Sequence, residues 1–221
     1  MKRAPLAFAC LFFATNVFGQ VTYTSRTTYN LAHPVNAVID FNELTPGPTQ
    51  YNGVTESTPY GDVSFSAIPS TNNIEFLGNS NFSFLGPNNL ALYAFNGQFL
   101  TDSLLVTLPA NSFSFGTDLI SPSATVPEPY QLTIFSGSTV LATINSPSVN
   151  NAYTFIGFDS LTSPITSVAF QIQNAIGNPQ PVLDNFTVVP EASGVWSAAL
   201  IAATLLFMAR RRMTSLFLRR S

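Results

Sequence analysis

Along most of the chain apolar and polar residues alternate in short bursts, and between residues 20 and 189 no apolar period of 3.6 residues is sustained. Phe113-Ser114-Phe115-Gly116, Leu132-Thr133-Ile134-Phe135 and Val168-Ala169-Phe170-Gln171-Ile172 alternate in this way. This spacing turns one face of a strand toward a core. Bursts of this kind, bounded by Gly, Pro, Asn and Asp, predict strands at 37–41, 63–68, 90–95, 103–108, 112–119, 130–135, 139–144, 153–158, 165–173 and 182–189. Gly137-Ser138, between two of these runs, predicts a tight hairpin turn. The stretch 71–97, rich in Asn, Gly and Phe, reads as an insertion or long loops. About ten strands with short polar turns predict an all-β domain over residues 20–189, a β-sandwich of jelly-roll type.

The two ends break the pattern. Lys2-Arg3, the apolar run 6–14 and Val17-Phe18-Gly19 have the layout of a signal peptide over residues 1–19, with cleavage expected between Gly19 and Gln20. Cys10 has neither the leucine expected at the start of a lipobox before it nor polar residues after it, which argues against lipidation. The apolar run 194–209 near the other end is followed by Arg210-Arg211-Arg212. It predicts a transmembrane helix slightly shorter than the usual ~20 residues. Trp196 suits the interface and the arginines suit the cytoplasmic side. An exported N-terminus and a basic C-terminal tip on the cytoplasmic side of the inner membrane give one self-consistent topology.

A short Pro-Glu motif, an apolar helix and an arginine cluster resemble the PEP-CTERM sorting tail of Gram-negative bacteria, here over 190–221. The resemblance implies an exosortase-type processing enzyme that recognises Pro190, Glu191 and Ala192, cuts there and passes the protein to the envelope or extracellular matrix. Ala192 stands where the family has a second proline, and the extension 213–221 is longer than such tails usually carry. A second Pro-Glu-Pro, at 127–129, leads into an alternating strand rather than an apolar span and reads as a loop. Val38-Ile39-Asp40-Phe41, residues 60–65, Phe155-Ile156-Gly157-Phe158 and Leu183-Asp184-Asn185-Phe186 also resemble the jelly-roll domains carried by such proteins. That likeness implies a lectin-like sandwich without catalytic residues.

Charge sharpens this picture. Only 9% of residues are charged, against 46% hydrophobic, and the basic residues crowd the two ends. Between residues 20 and 189 stand one arginine, Arg26, and ten carboxylates, a formal charge of −9. Such a body repels phosphate backbones, which excludes nucleic acid as a partner and favours cations or neutral glycans. The single cysteine falls in the signal segment, so a thiolate metal site and a disulfide framework are excluded from the domain. His33 is the only histidine and Lys2 the only lysine, which leaves little for triad or Schiff-base chemistry.

Carboxylates and loop carbonyls suit calcium, and Glu43 and Asp184 are the candidate ligands of a structural Ca²⁺. Asp40 with Glu43, or Glu56 with Asp62, are the pairs that a carboxylate glycosidase would require. Tyr51, Tyr60, Tyr93 and Phe99 are the rings that could stack on sugars. The leading expectation is a non-catalytic protein of the cell envelope or extracellular matrix, associated with exopolysaccharide or adhesion. A carbohydrate-binding module with a structural calcium is the alternative, and a glycosidase the third reading.

Overall fold

A computed structural model describes residues 20–42, 47–51, 53–68, 73–77, 90–95, 103–120, 129–146, 153–173 and 181–190. Its elements run β1 (Gln20–Tyr23), α1 (Arg26–Ala32), β2 (Ala37–Ile39), β3 (Gly47–Tyr51), β4 (Val54–Thr58), β5 (Gly61–Ile68), β6 (Asn73–Leu77) and β7 (Ala91–Phe95). They continue with β8 (Ser103–Thr107), β9 (Ser112–Ile120), β10 (Tyr130–Ser136), β11 (Thr139–Asn145), β12 (Tyr153–Ser160), β13 (Ser167–Ile172) and β14 (Val182–Pro190). Two antiparallel sheets result. One has the order β1-β12-β9-β14-β7-β6-β3, with β2 also on β14; the other is β11-β10-β13-β8-β5-β4.

Alternation explains the sandwich. Phe115, Leu119, Ile156, Phe158, Leu183 and Val188 from the first sheet meet Val63, Phe65, Leu104, Val106, Leu132, Ile134, Val168 and Phe170 from the second in one core. Each such side chain contributes roughly 1.5–3 kcal/mol on burial. Phenylalanines link the layers: Phe186 lies edge-on to Phe65 and stacks on Phe115, which in turn meets Phe170 edge-on. The buried Tyr130 donates its hydroxyl proton to the Ile120 carbonyl (2.6 Å) and accepts from the Val182 amide (2.9 Å). This pins β10 across the ends of β9 and β14.

Each of the ten predicted strands is present, and Gly137-Ser138 is the hairpin between β10 and β11, with Gly137 at φ 59°. Four strands and a helix are additional. β6 lies inside the stretch expected to be loops. β1 and β4 carry few buried residues because they are sheet edges, so their sequences lack the alternation that marks a covered strand. Helix α1 is capped by Ser25 and buries only Tyr29; one buried residue sets no period. The expected signal helix and the expected transmembrane helix lie outside the described residues. Among those described, no helix is long and apolar enough to cross a membrane.

β2 and β7 follow one another along the same edge of β14, β2 opposite Phe186–Val188 and β7 opposite Val182 and Leu183. Phe41 turns at φ 57° where they part, and Asn42 Oδ1 accepts the Leu90 amide proton (2.9 Å). Facing this break, β14 shifts register between Asp184 and Thr187, with Asn185 at φ 48°. Asn tolerates this left-handed conformation better than most residues.

Candidate functional site

The outer face of the eight-stranded sheet over β9, β12 and β14 is roofed by the segment 24–36, which follows the edge strand β1. Gly116 on β9 and Gly157 on β12 lie opposite one another, and the Tyr29 ring packs where their side chains would be: a Cβ on Gly157 would meet it at 2.7 Å. Phe155, Val189 and Tyr23 complete a small apolar cluster around Tyr29. Arg26, at the start of α1, reaches Asp118 (Nη2 to Oδ2, 3.0 Å), Thr187 (3.1 Å) and the Asn185 carbonyl (2.9 Å). Its guanidinium also lies 4.7 Å over the Phe155 ring. The one cation of the domain is thus committed to the roof.

At the other end of α1 three residues meet that could suggest a hydrolase. His33 Nε2 stands 2.9 Å from Asp159 and 3.4 Å from Ser114 Oγ. In a hydrolytic triad the carboxylate holds one imidazole nitrogen and the serine the other. Here both converge on Nε2, so His33 cannot take a proton from Ser114 while Asp159 orients its opposite edge. Ser114 is also buried and bonded to the Tyr29 hydroxyl (2.8 Å). Burial tends to raise the Asp159 carboxyl, but hydrogen bonds from His33, Ser114 and Tyr23 outweigh it and hold the group below the usual carboxylate range. Tyr23, which donates to Asp159 at 2.7 Å, is pushed up to about 12 by desolvation and by that carboxylate. The cluster is a structural lock between roof and sheet.

Asp184, expected as a calcium ligand, lies opposite Asp118 in the β14–β9 register. It is 2% exposed and accepts the Asn185 amide proton (2.6 Å). Burial pushes its carboxyl up to about 6; the Asn185 amide and Tyr153 hydroxyl pull it down, and the charges of Asp118 and Asp40 raise it further. Among the described residues no three carboxylate, imidazole or thiol groups gather in a geometry suited to a metal ion. Glu43 lies outside the described residues.

The remaining candidates disperse. Ser57, not Glu56, pairs with Asp62 across β4 and β5, so the two carboxylates point to opposite faces and do not form a glycosidase pair. Asp40 and Glu56 instead line a shallow groove of about 200 Å³ between residues 37–41 and 56–59. Tyr51 and Tyr60 pack half-buried against the core rather than forming a platform. Tyr93 is in β7, its side chain not described; Phe99 lies outside the described residues. Gln20 opens β1 and donates to the Leu141 carbonyl (2.6 Å), joining the edges of the two sheets. Pro190 is the last residue of β14, opposite Ser112. Gly19, Glu191, Ala192 and Arg210–Arg212 lie outside the described residues.

The outer face of the six-stranded sheet is different in kind. Asn145, Gln131, Gln171 and Ser103 align across β11, β10, β13 and β8, and Thr143, Thr133, Ala169, Leu105 and Ser66 form the next row. All are exposed or half-exposed. These rows carry no charge, and none of the described residues covers them. This property was written in the alternation, since the residues that alternate with the buried ones in β10, β13 and β8 are Gln, Thr, Ser or Ala, with Leu105 and Phe135 the two large apolar exceptions. Seeing it required knowing which strands are neighbours.

No family model matches the chain, and no curated protein matches it. Among solved structures it is similar to the K2 cleaved adhesin domain of Lys-gingipain, at 14% identity and TM-score 0.45, covering 70% of this chain and 99% of that one. The K1 cleaved adhesin domain of Lys-gingipain from Porphyromonas gingivalis is similar at 13% identity and TM-score 0.39, over 72% of this chain and 99% of that one. A family 35 carbohydrate binding module from Clostridium thermocellum is similar at 12% identity and TM-score 0.34, over 71% and 98%.

Proposed function

We propose that the chain is a non-catalytic exported protein whose jelly-roll-type sandwich associates with neutral polysaccharide in the cell envelope or extracellular matrix. In this reading a PEP-CTERM-like tail delivers it there, with Pro190, Glu191 and Ala192 as the processing motif and Arg210–Arg212 as the cytoplasmic stop. The observation that carries the binding half is the pair of uncharged rows on the outer face of the six-stranded sheet, where the described acid is Asp62 on β5, outside those rows, in a domain of strong negative charge. Amides and hydroxyls at Gln131, Gln171, Asn145, Thr133 and Ser103 can exchange hydrogen bonds with sugar hydroxyls. Leu105 offers apolar surface to a ring face. A polyanion would be repelled by the domain as a whole.

The test is binding to a panel of soluble neutral and anionic polysaccharides, by wild type and by a Thr133→Glu variant. Neutral chains bind and anionic chains do not; the introduced carboxylate lowers affinity at least about tenfold, near 1.4 kcal/mol. Equal binding by the variant would reject this face. Mass spectrometry of the mature protein tests the sorting half: a C-terminus near Pro190-Glu191 supports processing, and an intact arginine-rich end rejects it.

A further inference from the structure

We propose that the end of the sandwich from which β14 exits rests against the lipid bilayer in the membrane-anchored precursor. Several apolar side chains stand exposed. Leu31 is 78% exposed, Val35 64%, Leu161 63% and Val140 52%, with Val21 also in the open. Single exposed apolar residues need no explanation, but a group of them at one place does.

The register puts these five at one end and toward one side. Val21 lies opposite Asp159 on β12, and Leu161 follows the last residue of that strand. His33, which bonds Asp159, holds the C-terminal end of α1 there, so Leu31 and Val35 flank the same strand end. Val140 follows the Gly137-Ser138 hairpin, which is tied by the Gly137 amide to Thr166 in the loop after Leu161. The Gln20–Leu141 bond closes the sheet edges beside them. Charged side chains are sparse here. Asp159 is buried and bonded; Asp62 is exposed at this end too, but on β5, across the six-stranded sheet from β11 and Val140, with Glu56 beyond it on β4. Asp40, Asp118 and Asp184 lie farther along the strands, around the break between β2 and β7.

The chain leaves from this same end. Pro190 pairs with Ser112, whose carbonyl also accepts the amide of Ile165 in the loop after Leu161 (2.7 Å). Only Glu191, Ala192 and Ser193 separate Pro190 from the apolar run 194–209. Three residues span at most ~10 Å. If 194–209 crosses a bilayer, this end cannot stand far from its surface, and the exposed Leu and Val side chains meet the headgroup and upper acyl region. The occupant is therefore lipid, held by apolar contact rather than by basic residues, and neutral lipid suffices. The arrangement places Pro190-Glu191 at the membrane surface, within reach of a membrane-embedded processing enzyme. The proposal rests on the reading of 194–209 as a membrane segment.

Full-length protein in a Cys10→Ser background, reconstituted in phosphatidylcholine nanodiscs containing headgroup-proximal spin-labelled lipid, tests it. A fluorophore is attached in turn at Leu161→Cys, Val35→Cys, Ile68→Cys at the far end of β5, and Ala203→Cys within the apolar run. Quenching is expected at 203, 161 and 35 and absent at 68, with no dependence on salt. Quenching at 203 alone, with 161 and 35 as unquenched as 68, overturns the proposal and leaves the membrane segment standing. No quenching at 203 removes the membrane segment and the proposal with it.

Discussion

On the eight-stranded sheet the outward positions include Ser114, Gly116, Asp118, Phe155, Asp159 and Thr187, and the segment 24–36 covers them. On the six-stranded sheet they are chiefly Gln, Thr, Ser and Ala, and none of the described residues covers them. The first face carries glycines where an aromatic of the roof must sit, an aspartate paired with the roof's Arg26, another bonded to the roof's His33, and a serine buried beneath it. The second carries nothing that needs a partner within the chain. A face whose polar groups are internally satisfied is a structural element. Rows left polar, neutral and uncovered by the described residues are available to a ligand.

The sharpest way to break this contrast is to cut the roof. Tyr29→Ala removes a fully buried ring together with its bond to Ser114, and a loss of about 3–4 kcal/mol, roughly 10 °C in melting temperature, is expected by thermal unfolding. Thr133→Ala on the open face shifts stability by less than about 0.5 kcal/mol in the same assay. Comparable losses from the two would erase the distinction.

Asp184 gives the next effect. Its carboxyl, raised to about 6 in the folded state, favours folding in its protonated form. The stability it contributes is complete below about pH 4, near the ordinary aspartate value, and is lost as pH rises through 6, by about 3 kcal/mol at pH 8. Asp184→Asn flattens that part of the stability–pH curve, measured by urea unfolding across pH 4–8. Asp159 works in the opposite sense: its lowered carboxyl stabilises the fold at neutral pH and ceases to do so as pH falls through its folded value. A structural calcium on Asp184 would show itself as a rise in melting temperature on adding millimolar Ca²⁺ to wild type and not to Asp184→Asn.

Smaller again is Gly157→Ala. Its Cβ would meet the Tyr29 ring at 2.7 Å and Phe155 at 3.1 Å, and about 1–3 kcal/mol is expected for displacing the packed rings. The smallest is Arg26→Lys, at about 1 kcal/mol. A lysine keeps a charge near the buried Asp118 but loses the fork to Thr187 and Asn185 and the stacking on Phe155.

What the sequence made legible follows from the physics of covered strands. β10 and β13 alternate because one side alone faces the core, while β9, β12 and β14, covered on both sides, stood out as apolar and β-rich runs. β1, β4 and α1 touch the core little, so burial left no period in them, although Ser25 followed by Arg26-Thr27-Thr28 has the makings of a capped turn. Asp184 was visible as an acid in the last strand; its burial depends on the bulge at Asn185 and on Asp118 across the register, neither of which one segment can announce. His33, Ser114 and Asp159 are scattered along the chain, and only the folded roof shows that they meet, and that they meet on one nitrogen.

The central claim is that the open face, and not the roofed one, takes a neutral polysaccharide. Amide hydrogen exchange of the whole protein, with and without a saturating neutral polysaccharide that binds it, tests this most directly. The account predicts slowed exchange in β8, β10 and β13 with β9, β12 and α1 unchanged. Protection confined to α1 and the strands beneath it would contradict it.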